Sequence, residues 1–252
     1  MFKILCCTGA YGGNGGDEET STIDIGASYK LGLQHVANND IEQAILCFEE
    51  CTVADKRHVP SLNQLGLIFE AKHDLDRAER CFETIVSIDS NSVEGLYGLG
   101  SCAYERKDLL GAEGFFLRTL EIDPRDTHAL ISLAFVHKDT GKMEDAANNL
   151  LRALEVDPQS VPAHYNLANL YHDTGDPEKA IQHFMRAISL KPNYSDAMFN
   201  LGVIYQEGKE IEQALKWYDA AVEAKPDFEQ SKQAAEVLRS YLSKKHKKGR
   251  KN

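Results

Sequence analysis

The sequence predicts an all-α solenoid of six helix–turn–helix units, and two observations lead to this prediction. Apolar residues follow helical spacing, as Leu167, Leu170 and Tyr171 do. In addition, alanine recurs every 34 residues without an insertion. The recurring alanines are Ala44, Ala78, Ala112, Ala146, Ala180 and Ala214. Units of this length stack, because each helix pair leaves an apolar face that only the next pair can cover.

Each unit carries the same residue types at several positions, counted from its own first residue. Leucine stands at position 7, glycine or alanine at position 8, alanine at position 20, and phenylalanine, leucine or tyrosine at position 24. The small residues let neighbouring helices approach closely, where larger side chains would force them apart. In the fifth unit, Asp176, Pro177 and Glu178 supply a cap, a first-turn proline and an early acid for the second helix. Proline ends that helix in the last four units. These prolines are Pro124, Pro158, Pro192 and Pro226.

This pattern resembles the tetratricopeptide repeat, and the resemblance implies a right-handed α-solenoid that binds other proteins. It covers residues 25–228. The six predicted repeats are 25–58, 59–92, 93–126, 127–160, 161–194 and 195–228. Apolar residues at helical spacing in 229–243 predict a capping helix. The glycine-rich and acidic segment 1–24 predicts a flexible leader, and residues 244–252 form a basic tail.

The net charge of −11 is divided between acidic repeats and the basic tail. The acidic repeats disfavour nucleic-acid binding, because they repel phosphate. The tail has three interpretations: a solvated tail, a nuclear-import or nucleic-acid patch, and an internal ligand that folds back on the acidic repeats. No apolar run is long enough to span a membrane. Membrane association therefore depends on palmitoylation of Cys6 and Cys7, because two palmitoyl chains are enough to anchor a protein to a membrane.

The resemblance also implies where ligands bind, because the first helix of each repeat lines the concave surface in this family. Positions 5, 6, 9 and 13 of each unit are therefore the candidates for a peptide-binding groove. Amide side chains there bond a peptide backbone, rings cover its side chains, and the acids form a negative wall. The candidate residues are Tyr97, Glu105, Phe135, Asp139, Tyr165, Asn166, Asn169, Asp173, Phe199, Asn200 and Glu207.

Two of these asparagines carry a more specific resemblance. Asn166 and Asn200 stand in Asn-Leu-Ala-Asn-Leu-Tyr and Asn-Leu-Gly-Val-Ile-Tyr. These segments resemble the asparagine ladder in the repeat domain of O-linked N-acetylglucosamine transferases, which implies peptide binding at 161–228. Sugar transfer is not implied, because the sequence holds no glycosyltransferase domain. The other four repeats also depart from the ladder, with Lys30, Gln64, Gly98 and Ser132 at its position.

No catalytic residue, metal site or cofactor is predicted. The six cysteines form no C-x-x-C pair, the nine histidines lack zinc-ligand spacing, and no nucleophile has a motif-placed base. The sequence thus predicts a non-catalytic scaffold or adaptor that binds an extended, neutral or basic peptide segment and no small-molecule substrate. The alternatives are a regulatory or targeting subunit of an enzyme complex, such as a glycosyltransferase-type assembly, and a nuclear adaptor. We expect a cytoplasmic protein, or a nuclear one if the tail is an import signal.

Overall fold

The structure is a computed structural model that describes residues 24–249, with side chains described up to residue 245. Within that range it consists of helices and the turns between them, so the predicted all-α solenoid class is confirmed. The helices of the described range are α1 (Ile25–Ala37), α2 (Ile41–Ala54), α3 (Val59–Ala71), α4 (Leu75–Ile88), α5 (Val93–Glu105), α6 (Leu109–Ile122), α7 (Thr127–Asp139), α8 (Met143–Val156), α9 (Val161–Asp173), α10 (Pro177–Leu190), α11 (Ser195–Glu207), α12 (Ile211–Ala224) and α13 (Glu229–Gly249).

The chain divides into two compact units, residues 1–61 and 62–252. In the described part of the first unit, α1 packs against α2. The ring of Tyr29 lies 5.6 Å from that of Phe48 and 5.5 Å from that of His58, measured between centroids. The Cys51 thiol donates to the carbonyl oxygen of Ile25, and burial raises its pKa. This cysteine therefore packs as a small apolar residue.

The second unit is a stack of helix pairs. From α4 to α13, each helix packs against the next one along the chain. The first helices of successive repeats also meet, α5 with α7 and α7 with α9. Hydrogen bonds join α9 to α11 in the same way. The first helices therefore lie side by side and present one shared surface.

In the third and sixth repeats, the two helices of the pair approach closely where a glycine meets a ring. A β carbon at Gly100 would lie 2.6 Å from the ring of Phe116, and one at Gly202 would lie 2.5 Å from that of Tyr218. Such a β carbon would displace the ring, so glycine at position 8 permits this helix spacing. The alanines at position 20 of these repeats are at most 1% exposed, which places the second helices equally close to their neighbours.

Helix α13 is longer than predicted and continues to Gly249, so part of the predicted basic tail is helical. Its Ala235 and Leu238 are buried against Ala214 and Tyr218, which covers the last repeat. The predicted leader up to residue 23, with its two cysteines, lies outside the described residues, as do residues 250–252. No helix between residues 24 and 249 combines the length and the apolar character that a membrane crossing needs.

Position 15, in the turn between the two helices of each repeat, adopts a left-handed backbone conformation. In the second unit, Gly141 and Gly175 have φ angles of 78° and 82°, while Lys107 and Lys209 have φ angles of 65° and 62°. An L side chain is strained in this region and glycine is not. The two lysines therefore carry a backbone strain that the two glycines avoid.

We expect Lys209→Gly to raise the free energy of unfolding by about 0.5–1 kcal/mol, because relief of the strain exceeds the extra entropy of glycine in the unfolded chain. Gly141→Ala is the matched control, and it should lower stability by a similar amount. Urea unfolding followed by circular dichroism measures both midpoints. A lower midpoint for Lys209→Gly than for the unaltered chain would contradict the explanation.

Candidate functional site

The predicted site residues all lie on first helices of the second unit. Helix α5 carries two of them, α7 two, α9 four and α11 three. The structure brings members of successive repeats together through contacts between residues 35 positions apart. The shared surface of α5, α7, α9 and α11 is called the first-helix surface below.

The aromatic residues at position 5 pack into the core. The ring centroids of Tyr97 and Phe116 are 5.6 Å apart, and those of Tyr165 and Phe184 are 5.7 Å apart. Phe199 packs in the same way against the ring that α12 presents. Burial raises the pKa of the Tyr97 hydroxyl, as expected for a phenol that has left water. The faces of these three rings are thus occupied by packing within the fold. The predicted contact of the rings with side chains of a bound peptide stays a prediction.

The amides on this surface differ in what they bind. Asn200 donates through Nδ2 to Oδ1 of Asn169 at 2.8 Å and to the hydroxyl of Tyr165 at 3.3 Å. Asn166, which is half-buried, forms no hydrogen bond with another described residue. Asn200 is therefore used within the fold, while the Asn166 amide and the Nδ2 of Asn169 are available to a ligand.

Two of the acids at position 13 lie against a lysine or a histidine of the preceding repeat. The Nζ of Lys138 lies 2.7 Å from Oδ2 of Asp173. The Nε2 of His172 lies 2.8 Å from Oε2 of Glu207. Lys138 was not predicted as part of the site. The sequence could have indicated it, because a lysine at position 12 stands one repeat before the acid at position 13. Lys138 reduces the negative charge that Asp173 presents to a ligand, and the Glu207 carboxylate is occupied by its contact with the His172 ring.

The other two acids at position 13, Glu105 and Asp139, differ from Asp173 and Glu207 in their neighbours. Asp139 accepts a hydrogen bond of 2.7 Å from the hydroxyl of Tyr104. Burial, together with this carboxylate, raises the pKa of Tyr104 to about 12, so the phenol stays neutral and donates. Among the described side chains, no cation pairs with Asp139 or Glu105. The acids of this row that have no basic partner among the described side chains therefore lie in the third and fourth repeats.

A small cavity lies between α7, α8 and α9, beside the available amides. Its volume is about 40 Å³, which is room for about three waters or one small aliphatic group. Phe135 is 37% exposed at its rim. Three predicted residues thus meet at one place, while Ile131 and Leu150 were not among the predicted residues. The lining residues are Ile131, Ala134, Phe135, Lys138, Ala146, Leu150, Asn166, Asn169 and Leu170.

Comparisons with known families agree with this architecture. Four models described as tetratricopeptide repeat or TPR repeat match residues 63–127, 136–175, 161–194 and 183–216. Together these matches span more than half of the chain. The chain belongs to the tetratricopeptide repeat family.

Solved structures share the fold at low sequence identity. PilW, described as a widely conserved type IV pilus biogenesis factor, is 19% identical with a TM-score of 0.74, over 86% of this chain and 98% of its own. The pilF protein of Pseudomonas aeruginosa is 15% identical with a TM-score of 0.71, over 86% and 97%. YrrB, described as a TPR protein with an unusual peptide-binding site, is 21% identical with a TM-score of 0.56, over 75% and 97%. A search of curated proteins found no match.

The tetratricopeptide repeats of 24–249 contain no group of three or more histidine, cysteine or acidic residues that could hold a metal ion. They do contain a buried histidine pair, in which the Nδ1 atoms of His164 and His183 lie 2.9 Å apart. The Nε2 of His164 lies 3.3 Å from the carbonyl oxygen of Pro158. Because a carbonyl only accepts, His164 carries its proton on Nε2, and Nδ1–H of His183 donates to Nδ1 of His164.

Both imidazoles of this pair are held in the neutral form. Burial lowers the pKa of His164 and of His183, and a second positive charge nearby would lower the pKa of His183 further. Tyr171 stacks on His183 with centroids 5.6 Å apart, and Arg186 adds positive charge near His164. Asp157 acts in the opposite direction on His164, but it does not outweigh burial.

We expect the stability of the second unit to fall as the pH falls below about 6.5, the pKa of an unfolded histidine. Below that pH the unfolded chain binds protons that the folded pair excludes, so unfolding is favoured by acid. Urea midpoints at pH 8 and pH 5.5 measure the effect. The His164→Asn/His183→Phe variant should show a smaller difference between the two pH values, and an unchanged difference would assign it to other groups.

Proposed function

We propose that this tetratricopeptide repeat protein is a non-catalytic scaffold that holds an extended segment of another protein on the first-helix surface. One observation carries the proposal: available amides at Asn166 and Asn169 line the same cavity as the aliphatic side chains of the fourth repeat. Amides bond the backbone of an extended chain, and an apolar recess takes one of its side chains. The unusual peptide-binding site for which YrrB is described supports this use of the fold.

The segment is neutral or basic. Glu105 and Asp139 present carboxylates that have no cationic partner among the described side chains, so they attract lysine and arginine. Asp173 and Glu207 contribute less, because Lys138 and His172 already lie against them. Charge selectivity therefore resides mainly in the third and fourth repeats.

The contrast between two asparagines tests the proposal. We expect Asn166→Ala to weaken peptide binding about two- to tenfold, the cost of one lost hydrogen bond. It should leave the thermal midpoint unchanged, because Asn166 bonds no described residue. The control, Asn200→Ala, should lower the midpoint, because it removes the bonds to Asn169 and Tyr165.

The probe for this test is a phage-displayed library of random linear peptides, selected on the full chain. Synthetic copies of the enriched peptides are then titrated by fluorescence anisotropy. Enriched peptides whose affinity depends on Asn166 support the proposed surface. A selection that enriches no peptide, or peptides that bind the Asn166→Ala variant with full affinity, would overturn it.

Charge selectivity has its own matched pair of variants. With an enriched basic peptide, Glu105→Gln/Asp139→Asn should weaken binding about two- to fivefold for each carboxylate and flatten its dependence on salt. The control, Asp173→Asn/Glu207→Gln, should have a smaller effect, because those carboxylates are already paired. Equal losses in the two variants, measured between 50 and 500 mM salt, would contradict the assignment.

A further inference from the structure

The fourth repeat departs from its neighbours at the two positions whose rings fill the space between the helices of a pair. In the fifth repeat, Tyr165 packs on Phe184 with centroids 5.7 Å apart. The fourth repeat has Ile131 and Leu150 at these positions, and both line the cavity. The third and sixth repeats have the ring pairs Tyr97–Phe116 and Phe199–Tyr218. Loss of both rings from one repeat explains why the cavity lies there.

The lining of this cavity combines aliphatic side chains with polar ones. Ile131, Ala134, Leu150 and Leu170 supply aliphatic walls, and Leu150 is only 3% exposed. An unfilled space in a packed interior forfeits dispersion contacts, which a ligand group of matching size restores. At the mouth stand the exposed ring of Phe135 and the available amides.

We infer that this cavity is a subsite for one small aliphatic side chain of the bound segment, an inference that rests on the proposed function. Its volume of about 40 Å³ accepts a side chain the size of alanine or valine and excludes aromatic rings. Its aliphatic side chains favour an apolar occupant, because burial of a charge against them would carry a desolvation cost. Asn166 and Asn169, at the mouth, bond the peptide backbone on either side of the inserted residue.

The charge beside the cavity defines the rest of the ligand. Asp139 lies one turn beyond Phe135 on the same face of α7, and its hydrogen-bond donor is the neutral Tyr104. Lys138, at the rim, is held by Asp173 at 2.7 Å and leaves Asp139 to the ligand. The occupant is therefore a partner segment with a lysine or arginine about two residues from the small aliphatic residue, because one helical turn rises about 5.4 Å and an extended chain advances about 3.3 Å per residue.

Restoring the ring pair of the fifth repeat tests the subsite. The Ile131→Tyr/Leu150→Phe variant places rings around Ala134 as Tyr165 and Phe184 stand around Ala168, so it should fold with an unchanged or higher thermal midpoint. It should bind the enriched peptides at least tenfold more weakly. The control is Leu151→Phe, the same kind of change on the neighbouring side chain, which is 39% exposed and outside the cavity, and it should keep full affinity. Full affinity in the folded double variant would overturn the inference.

A second measurement on the unaltered chain covers the case in which the double variant folds poorly. In a series of synthetic copies of one enriched peptide, the small aliphatic residue is replaced by glycine or by tryptophan. Glycine should weaken binding about fourfold for each buried methyl group that it removes, because the cavity stays empty. Tryptophan should weaken binding about tenfold or more, because the ring does not fit. Equal affinities across the series would overturn the inference whatever the variant does.

The library selection separates this inference from the proposed function. Enriched peptides with a small aliphatic residue close to a lysine or arginine support the subsite. Peptides that require Asn166 but share no such pair leave the proposed function in place and overturn the subsite. A selection without enriched peptides overturns both.

Discussion

The contact between a small residue at position 8 and a bulky one at position 24 sets the distance between the two helices of each repeat, and the rest of the structure depends on it. Where the pair is Gly100 and Phe116, the ring lies in the space that a β carbon would need. A ring held in this way is buried completely or nearly so, at 1% exposure for Phe116. Because each repeat has this contact between positions 8 and 24, the distance between its two helices is similar from repeat to repeat. Successive first helices can therefore form a regular surface.

That regular surface determines which side chains meet. Residues at position 12 of one repeat reach position 13 of the next, so Lys138 meets Asp173 and His172 meets Glu207. At the preceding step, the donor to Asp139 is the neutral Tyr104. The three acids belong to one row, yet the charge that each presents depends on its neighbour one repeat earlier. The electrostatics of this surface are thus a property of pairs, and the total charge of the chain does not describe them.

Much of the fold could be predicted from the sequence because the residues that space the helices recur at fixed, short separations. The position count also selected Phe135, Asn166 and Asn169, which the structure places around one cavity. The pairing of Asp173 with Lys138 could not be predicted in this way, because it depends on the offset between successive helices. The extension of α13 to Gly249 was missed for another reason. Its last residues are mostly lysines, which carry no apolar pattern.

The subsite that we propose in the fourth repeat would give a repeat protein a binding site without a change of fold. Replacing two rings by Ile131 and Leu150 costs packing in one repeat, and the neighbouring repeats keep the frame. A partner that fills the space restores those contacts, and by mass action it also stabilises the folded chain. The asparagines follow the same logic. Asn200 forms hydrogen bonds inside the fold, whereas Asn166 has no partner among the described residues and is the amide that we propose for recognition. Binding specificity in such a surface arises where the repeat pattern is locally incomplete.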